Sequence, residues 1–232
     1  MKFFYDMHIH SDLSPCGNSD MTPNNIVNMS YIKGLNIISV TDHNTTKNLP
    51  AIIELCENVN IKAIPGIEVT TKEEVHVLCY FKELNNALKF GAVIYDSLPD
   101  IKNNPSIFGN QNIYNNKDEI TGVLEKLLIN ASGFSLNEIC SMTLEYEGIS
   151  VPAHINKKSN SILGVLGFIP YDLKLNFVEI NSNDNNINSK LIKNLKILKN
   201  SDAHQLTDIS EARNFFELNS IEDIYEYLME ES

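Results

Sequence analysis

The stretch FFYDMHIHSDLSPCG, residues 3–17, decides how the rest of the chain is read. Its first half is an aromatic, apolar run that reads as a β-strand, and the strand delivers His8 and His10 at its end. Positions i and i+2 of a strand point to one face, so both imidazoles reach the same space. The chain has 232 residues and six histidines, and the other four fall in a related way. They occur in TDHN (His43), EVHVL (His76), PAHI (His154) and SDAH (His204), each within or just past an apolar run. His76 alone comes early in its strand. A histidine taken singly is as readily a hydrogen-bonded core residue as a ligand. Structural histidines would also be scattered over helix surfaces and the tail, where this chain has none.

Outward from this stretch, strand and helix signals alternate. TPNNIVNMSYIKG (22–34) has Thr22 as N-cap, Pro23 at the first helical position and Gly34 past the end. NIISV (36–40) reads as a strand, residues 48–58 as a helix, and IKAIPGIEV (61–69) and EVHVLCYF (74–81) as strands. Residues 83–96 and 117–147 read as largely helical, with a polar, Asn-rich loop near 100–116 between them. GISVPAH (148–154), a short helix, LNFVEIN (175–181), a helix near 187–195 and LKILKNS (195–201) continue the pattern. NFFEL (214–218) and a helix over SIEDIYEYLMEE (220–231), capped by Ser220, close it.

About seven βα units without a linker or repeat predict one α/β domain over residues 1–232, a closed or nearly closed barrel with its site at the C-terminal ends of the strands. A doubly wound open sheet is the alternative. The strands are mostly continuous apolar runs, as strands covered by helices are. No G-x-G-x-x-G follows the first strand, so dinucleotide binding has no support.

Composition narrows the function. The formal charge is −12 and Arg213 is the only arginine. There is no basic stripe of the kind that long nucleic acid wants, so a small phosphorylated substrate is expected and long nucleic acid is not. Metal ions can supply positive charge to an acidic chain. No apolar run approaches a membrane span, the N-terminus lacks a signal-peptide pattern, and Cys16, Cys56, Cys79 and Cys140 form no C-x-x-C pair. The chain reads as cytoplasmic, with free thiols.

Imidazole is the commonest metal ligand, and imidazoles grouped with carboxylates suit zinc, manganese or iron. Glu68 and Asp202 also end strands, and a carboxylate among imidazoles can bridge two cations. Paired ions acidify bound water and clamp the oxygens of an in-line displacement, which makes phosphoester hydrolysis the natural chemistry. Ser11 and Ser14 lie in no nucleophile motif.

With these residues in view, the chain resembles the polymerase-and-histidinol-phosphatase (PHP) family of metal-dependent phosphoesterases. The order H-x-H, T-D-H, G-x-E, strand His, P-A-H, D-x-H runs from residue 8 to residue 204. The resemblance implies a distorted (β/α)7 barrel and two or three divalent ions of manganese, iron or zinc, with a hydroxide between ions attacking phosphorus. It assigns His8, His10 and Asp202 to one ion with Glu68 bridging to a second, His76 and His154 to the second, and His43 and His204 to a third. Asp42 orients its neighbours. Relatives carry an Asp for the third ion shortly after H-x-H-S. Pro15 and Cys16 stand at that register here, which leaves Asp12, Cys16 and Asp20 as candidates. Lys157, Lys158 and Arg213 are candidates to hold the substrate phosphate.

The expected activity is hydrolysis of a small phosphomonoester or phosphodiester, such as a nucleotide or phosphorylated metabolite. The alternatives are a PHP-like protein that binds metal or phosphate without turnover, and an amidohydrolase-type hydrolase. No motif names the natural substrate, the metals or the oligomeric state.

Overall fold

A computed structural model of the chain describes residues 1–181, 192 and 195–230. In order, its elements are β1 (Lys2–Ile9), α1 (Pro23–Ile32), β2 (Ile37–Val40), α2 (Leu49–Asn58), β3 (Lys62–Ala63), β4 (Gly66–Thr70), β5 (His76–Phe81), α3 (Leu84–Ser97) and α4 (Pro105–Phe108). They continue with β6 (Asn112–Tyr114), β7 (Ile120–Val123), α5 (Leu136–Glu145), β8 (Gly148–Pro152), α6 (Ile162–Leu166), β9 (Phe177–Asn181), β10 (Lys196–Asn200), β11 (Phe215–Glu217) and α7 (Ile224–Met229). The helix expected near 187–195 lies, apart from residues 192 and 195, outside the described residues.

Local chemistry sets the helix starts. The Thr22 side chain accepts from Asn25 N, with Pro23 opening α1. Ser135 and Glu138 form a reciprocal capping box on α5. Ser220 caps a short 3₁₀ turn, Ile221–Asp223, that leads into α7.

The strands carry two apolar faces. Along β5, Val77, Cys79 and Phe81 pack with Phe90, Ile94 and Ile139 of the helical layer. Leu78 and Tyr80 pack with Met7, Ile37, Val151 and Leu198 from other strands. Each large apolar side chain so buried contributes roughly 1.5–3 kcal/mol, and burial on both faces explains why these strands read as unbroken apolar runs.

Among the described residues the strands pair as a four-stranded sheet, β11-β1-β2-β3, a three-stranded sheet, β4-β5-β8, and the pairs β9–β10 and β6–β7. Single parallel bridges, Ile9–Ala203 and His43–Glu68, join the edges. The fold is α/β, but no closed barrel is detected among the described residues. Strict βα alternation fails at one place in particular. β4 and β5 form an antiparallel hairpin, and β5 is antiparallel to β8 as well. The connection between β4 and β5, residues 71–75, is too short for a crossover helix.

The expected helix over 117–147 is corrected. Residues 112–123 form the β6–β7 hairpin, the connection to α5 is irregular, and only Leu136–Glu145 is helical. Asn115 turns the hairpin, its side chain accepting from Lys117 N and Glu119 N, an Asx turn that the Asn-rich composition permits. No helix among the described residues is long and apolar enough to cross a membrane.

Candidate metal centre

Strand ends bring the ligand-type side chains to one place. β1 ends with His8 followed by His10, β4 presents Glu68, and the His43–Glu68 bridge sets the loop after β2 alongside it. Gly66 makes that approach possible, because a Cβ there would lie 2.4 Å from Ser39 Oγ and 2.8 Å from Thr41 Cγ2. Asp202 and His204 follow β10, and His154 follows β8. Asp202 (φ 56°) and His154 (φ 30°) hold left-handed backbone conformations that residues other than glycine seldom adopt. The chain therefore turns abruptly at both strand ends, a form of strain that clusters at functional sites. His76 begins its strand where the others end theirs, and the antiparallel course of β5 resolves the oddity. Its start lies opposite Thr70 at the end of β4, so it joins the same cluster.

The spacing within the cluster is that of ligands about an ion. His8 Nε2 lies 3.1 Å from His10 Nε2, 3.4 Å from Glu68 Oε1 and 3.3 Å from Asp202 Oδ1. His10 Nε2 lies 3.3 Å from Glu68 Oε2 and 3.4 Å from Asp202 Oδ1. Donors about 2.1 Å from a tetrahedrally coordinated ion stand about 3.4 Å from one another. On the far side of Glu68 its oxygens meet His76 Nδ1 at 3.0 Å, His154 Nε2 at 3.2 Å and His43 Nδ1 at 3.1 Å. Buried His43 Nδ1 and Glu68 Oε2 lie this close without hydrogen-bonding each other or any other group in the structure, although buried polar atoms are normally satisfied. Both point at space that a cation would fill. The groups within ligand distance of one another are His8–His10–Glu68, His10–Asp202–His204, His43–Glu68–His76 and His10–Cys16–His43. The donor set fits divalent metal ions, and these residues are the ones that would hold them.

Mutual charge keeps His8, His10, Glu68 and Asp202 ionised in the metal-free cluster, whereas burial lowers His43 well below the usual imidazole range and lowers His204 as well. Burial opposes charge on His8, yet Glu179, Glu68 and Asp202 raise it well above the usual imidazole range. Burial opposes charge on His10 too, and the neighbouring Asp202 and Glu68 carboxylates lift it to about 9. Burial alone would raise Glu68, but His76, His8 and His43 hold it well below the carboxylate range. Asp202 is lowered against its burial by His8 and His10.

An outer layer orients these ligands. His8 Nδ1 donates to Glu179 Oε1 at 2.8 Å, His154 N donates to Glu179 Oε2 at 2.7 Å, and Asn200 Nδ2 donates to Glu179 Oε1 at 2.8 Å. Glu179, fully buried in β9, leaves His8 Nε2 as the free acceptor. Nothing in the sequence pattern singled it out, although a glutamate inside the apolar strand LNFVEIN was a usable signal. Ser14 and Asp42 do the same for His10. Ser14 Oγ donates to Asp42 Oδ1 at 2.7 Å and lies 3.1 Å from His10 Nδ1 and His43 N. Asp42 also accepts from Ser11 N and Ser11 Oγ, both at 2.7 Å. It thus stands behind the ligands, within reach of none of the ion-binding groups. His204 Nδ1 donates to Asp202 O at 2.7 Å, which fixes the same tautomer. Glu179→Gln keeps the shape but loses the charge that holds the His8 tautomer. Metal affinity should fall about 10–100-fold while kcat recovers at saturating metal, as kinetic titration with Mn²⁺ or Zn²⁺ would record. Unchanged affinity would remove Glu179 from the site.

The remaining candidates separate. Asp12 Oδ2 accepts from Tyr114 Oη at 2.5 Å and from Asn112 Nδ2 at 2.8 Å, so it ties the β6–β7 hairpin to the β1 loop. Asp20 is exposed, and neither aspartate belongs to a group that could hold an ion. Cys16 does. Lys157 Nζ pairs with Asp202 Oδ2. A cleft of about 660 Å³ beside Asp202 and His204 has Lys157, Lys199 and Arg213 among its walls. Lys158 is exposed and lies outside that lining.

Comparison with known proteins gives a concordant picture. A family model described as the PHP domain matches residues 6–140. A 5′-3′ exoribonuclease from Haemophilus influenzae is 29% identical over 77 residues, which are 32% of this chain and 27% of that protein. The lesion-specific endonuclease EndoQ from Pyrococcus furiosus superposes with a TM-score of 0.70 at 22% identity, covering 98% of this chain and 56% of that one. An Endonuclease Q complex with a 27-mer duplex carrying an abasic lesion gives a TM-score of 0.63 at 21% identity, over 89% of this chain and 50% of the other. The chain spans about a quarter of the exoribonuclease and about half of the endonucleases.

These relatives correct the expectation of a small substrate with no long nucleic acid. One of these relatives is named as an exoribonuclease, and another, of similar fold, is an endonuclease seen with a duplex whose abasic lesion lies at the active site. The physical reason is that net charge averages over a whole surface and hides local clustering, here Lys157, Lys199 and Arg213 on the walls of one cleft beside Asp202 and His204.

Proposed function

This chain belongs to the PHP domain family of metal-dependent hydrolases, and from that premise we propose that it is a phosphoesterase cleaving phosphodiester bonds, with nucleic acid among its substrates. The observation that carries the reading is the convergence of His8, His10, His43, Glu68, His76, His154, Asp202 and His204 at one set of strand ends, with Glu68 central among five imidazoles. His8, His10, Glu68 and Asp202 would hold one divalent ion. Glu68, His76 and His154 would hold a second, with His43 and His204 at the flank. Bound there, such ions acidify water and neutralise the phosphoryl oxygens.

The chain's own groups do the rest. Glu179, Ser14 and the Asp202 carbonyl engage the Nδ1 atoms of His8, His10 and His204 and so aim their Nε2 atoms inward. Lys157 and Arg213 stand beside the cluster, where Arg offers a fork to phosphate oxygens and Lys a point charge. Manganese, iron and zinc suit the donor set. The distorted (β/α)7 barrel of the family remains our reading of how these sheets would close.

The test pairs a bis-aryl phosphodiester with end-labelled DNA and RNA oligonucleotides, each assayed with Mn²⁺, Zn²⁺ and Fe²⁺. Turnover of the aryl diester and of at least one oligonucleotide is expected, and both should be lost with chelator. Bound metal without turnover of any phosphoester would favour a binding protein and overturn the reading.

A further inference from the structure

We infer that Cys16 is a thiolate ligand, giving this centre a mixed sulfur–nitrogen cation position with His43, beside His10, whose Nε2 faces the neighbouring position. This rests on the cluster being a metal centre, as proposed above, and it goes further by fixing the chemistry of one position. Cys16 Sγ and ring nitrogens of His10 and His43 all lie within 4.8 Å of one another. His43 Nδ1, buried and without a hydrogen-bond partner, points independently to a missing ligand in the same cluster.

The loop is built to hold the thiol there. Ser14 N donates to Ser11 O at 3.0 Å, Gly17 N to Ser14 O at 2.9 Å and Asn18 N to His204 O at 2.8 Å. This double turn folds residue 16 back against the cluster. Gly17 is required for it, because a Cβ there would lie 2.2 Å from Ser11 O. The oxygen donors nearest in sequence are committed elsewhere, Asp12 to Tyr114 and Asn112 and Asp20 to the surface. Of the four cysteines, Cys56, Cys79 and Cys140 are buried, and Cys16 alone is partly exposed. It lines a shallow cleft with His204, which gives an ion a route in.

Coordination would replace the S–H bond by a sulfur–metal bond and release the proton to solvent. Thiolate favours zinc, ferrous iron and cobalt over manganese and magnesium. The position should therefore resist filling by hard cations that fill the carboxylate-rich part of the site.

The experiment is a Co²⁺ titration of the chelator-treated protein, followed by ultraviolet absorption. A sulfur-to-cobalt charge-transfer band should grow in, and Cys16→Ser should lose it together with about one bound ion per chain. Zn²⁺ affinity at this position should fall by about 100-fold or more in that variant, beyond the loss expected from removing an outer partner. Cys16→Asp should restore the ion count without the band, and should shift preference toward Mn²⁺. In parallel, one thiol of the native metal-free protein should react with an aromatic disulfide reagent and become protected on adding Zn²⁺. If the wild type binds metal and hydrolyses ester but shows no band and no thiol protection, the Cys16 assignment falls alone. If no metal binds, the cluster reading falls with it.

Discussion

Glu68→Gln should lower kcat/KM on a phosphodiester by about a thousandfold, equivalent to about 4 kcal/mol of transition-state stabilisation. The reason is the position of this carboxylate. Its two oxygens lie 3.0–3.4 Å from nitrogens of His8, His10, His43, His76 and His154, so it is the one group common to both sides of the cluster. Glutamine preserves the volume and removes the charge, which separates electrostatics from packing. An amide also turns N–H donors toward space lined by acceptors, so the two cations that would share this carboxylate lose their bridging ligand. Elemental analysis of the purified variant should show fewer ions per chain than the wild type. Glu179→Gln, by contrast, should be rescued by excess metal, because it removes an orienting partner and no ligand. A Glu68→Gln protein with full metal content and full rate would show that the bridge is assigned to the wrong residue.

The convergence of these side chains was largely legible in the sequence because most of them obey a local rule. A histidine at a strand end is recognisable from the apolar run before it, and His8, His10, His43, His154 and His204 all follow that rule. Glu68 and Asp202 were legible in the same way. His76 broke the rule at the level of sequence, since strand direction is a tertiary property. Only the antiparallel pairing of β5 with β4 and β8 shows why a residue at the start of a strand reaches the same end. Glu179 was missed because its role depends on three partners far away in the chain, His8, His154 and Asn200. The choice among Asp12, Cys16 and Asp20 was equally undecidable from spacing. It turns on the β6–β7 hairpin, which recruits Asp12 through Tyr114, and that hairpin lay in a segment whose Asn-rich composition read as loop and helix. Net charge misled about partners because a −12 average hides a cleft with Lys157, Lys199 and Arg213 on its walls.

Removing the metal should cost more stability than any single substitution, and the loss should grow with pH between about 6.5 and 9. A ligand present at a thousand times its dissociation constant stabilises the fold by about 4 kcal/mol. In a chain of this size that is roughly 10 °C of Tm for each ion. The pH dependence follows from His10, whose pKa in the metal-free protein is raised from 6.5 to about 9 by Asp202 and Glu68 against its burial. A group whose folded pKa lies above its unfolded value stabilises the fold fully below the unfolded pKa, and that contribution is lost as pH rises through the folded pKa. The metal-free protein therefore loses the His10 contribution as pH climbs from 6.5 through 9. Over the same window the ion no longer has to displace a proton from His10 Nε2, so its affinity rises. Glu68 and Asp202, lowered in the fold, contribute stability that is lost only in acid and stays constant here. The lost His10 contribution and the rising ion affinity are two views of the same His10 proton, and its loss with rising pH widens the gap between loaded and chelated protein. Thermal unfolding at pH 6.5, 7.5 and 8.5, with saturating Zn²⁺ or with chelator, should show that gap increasing at each step. A gap that narrows with pH would mean that His10 holds no proton in the metal-free site and is not a ligand whose protonation the ion must overcome.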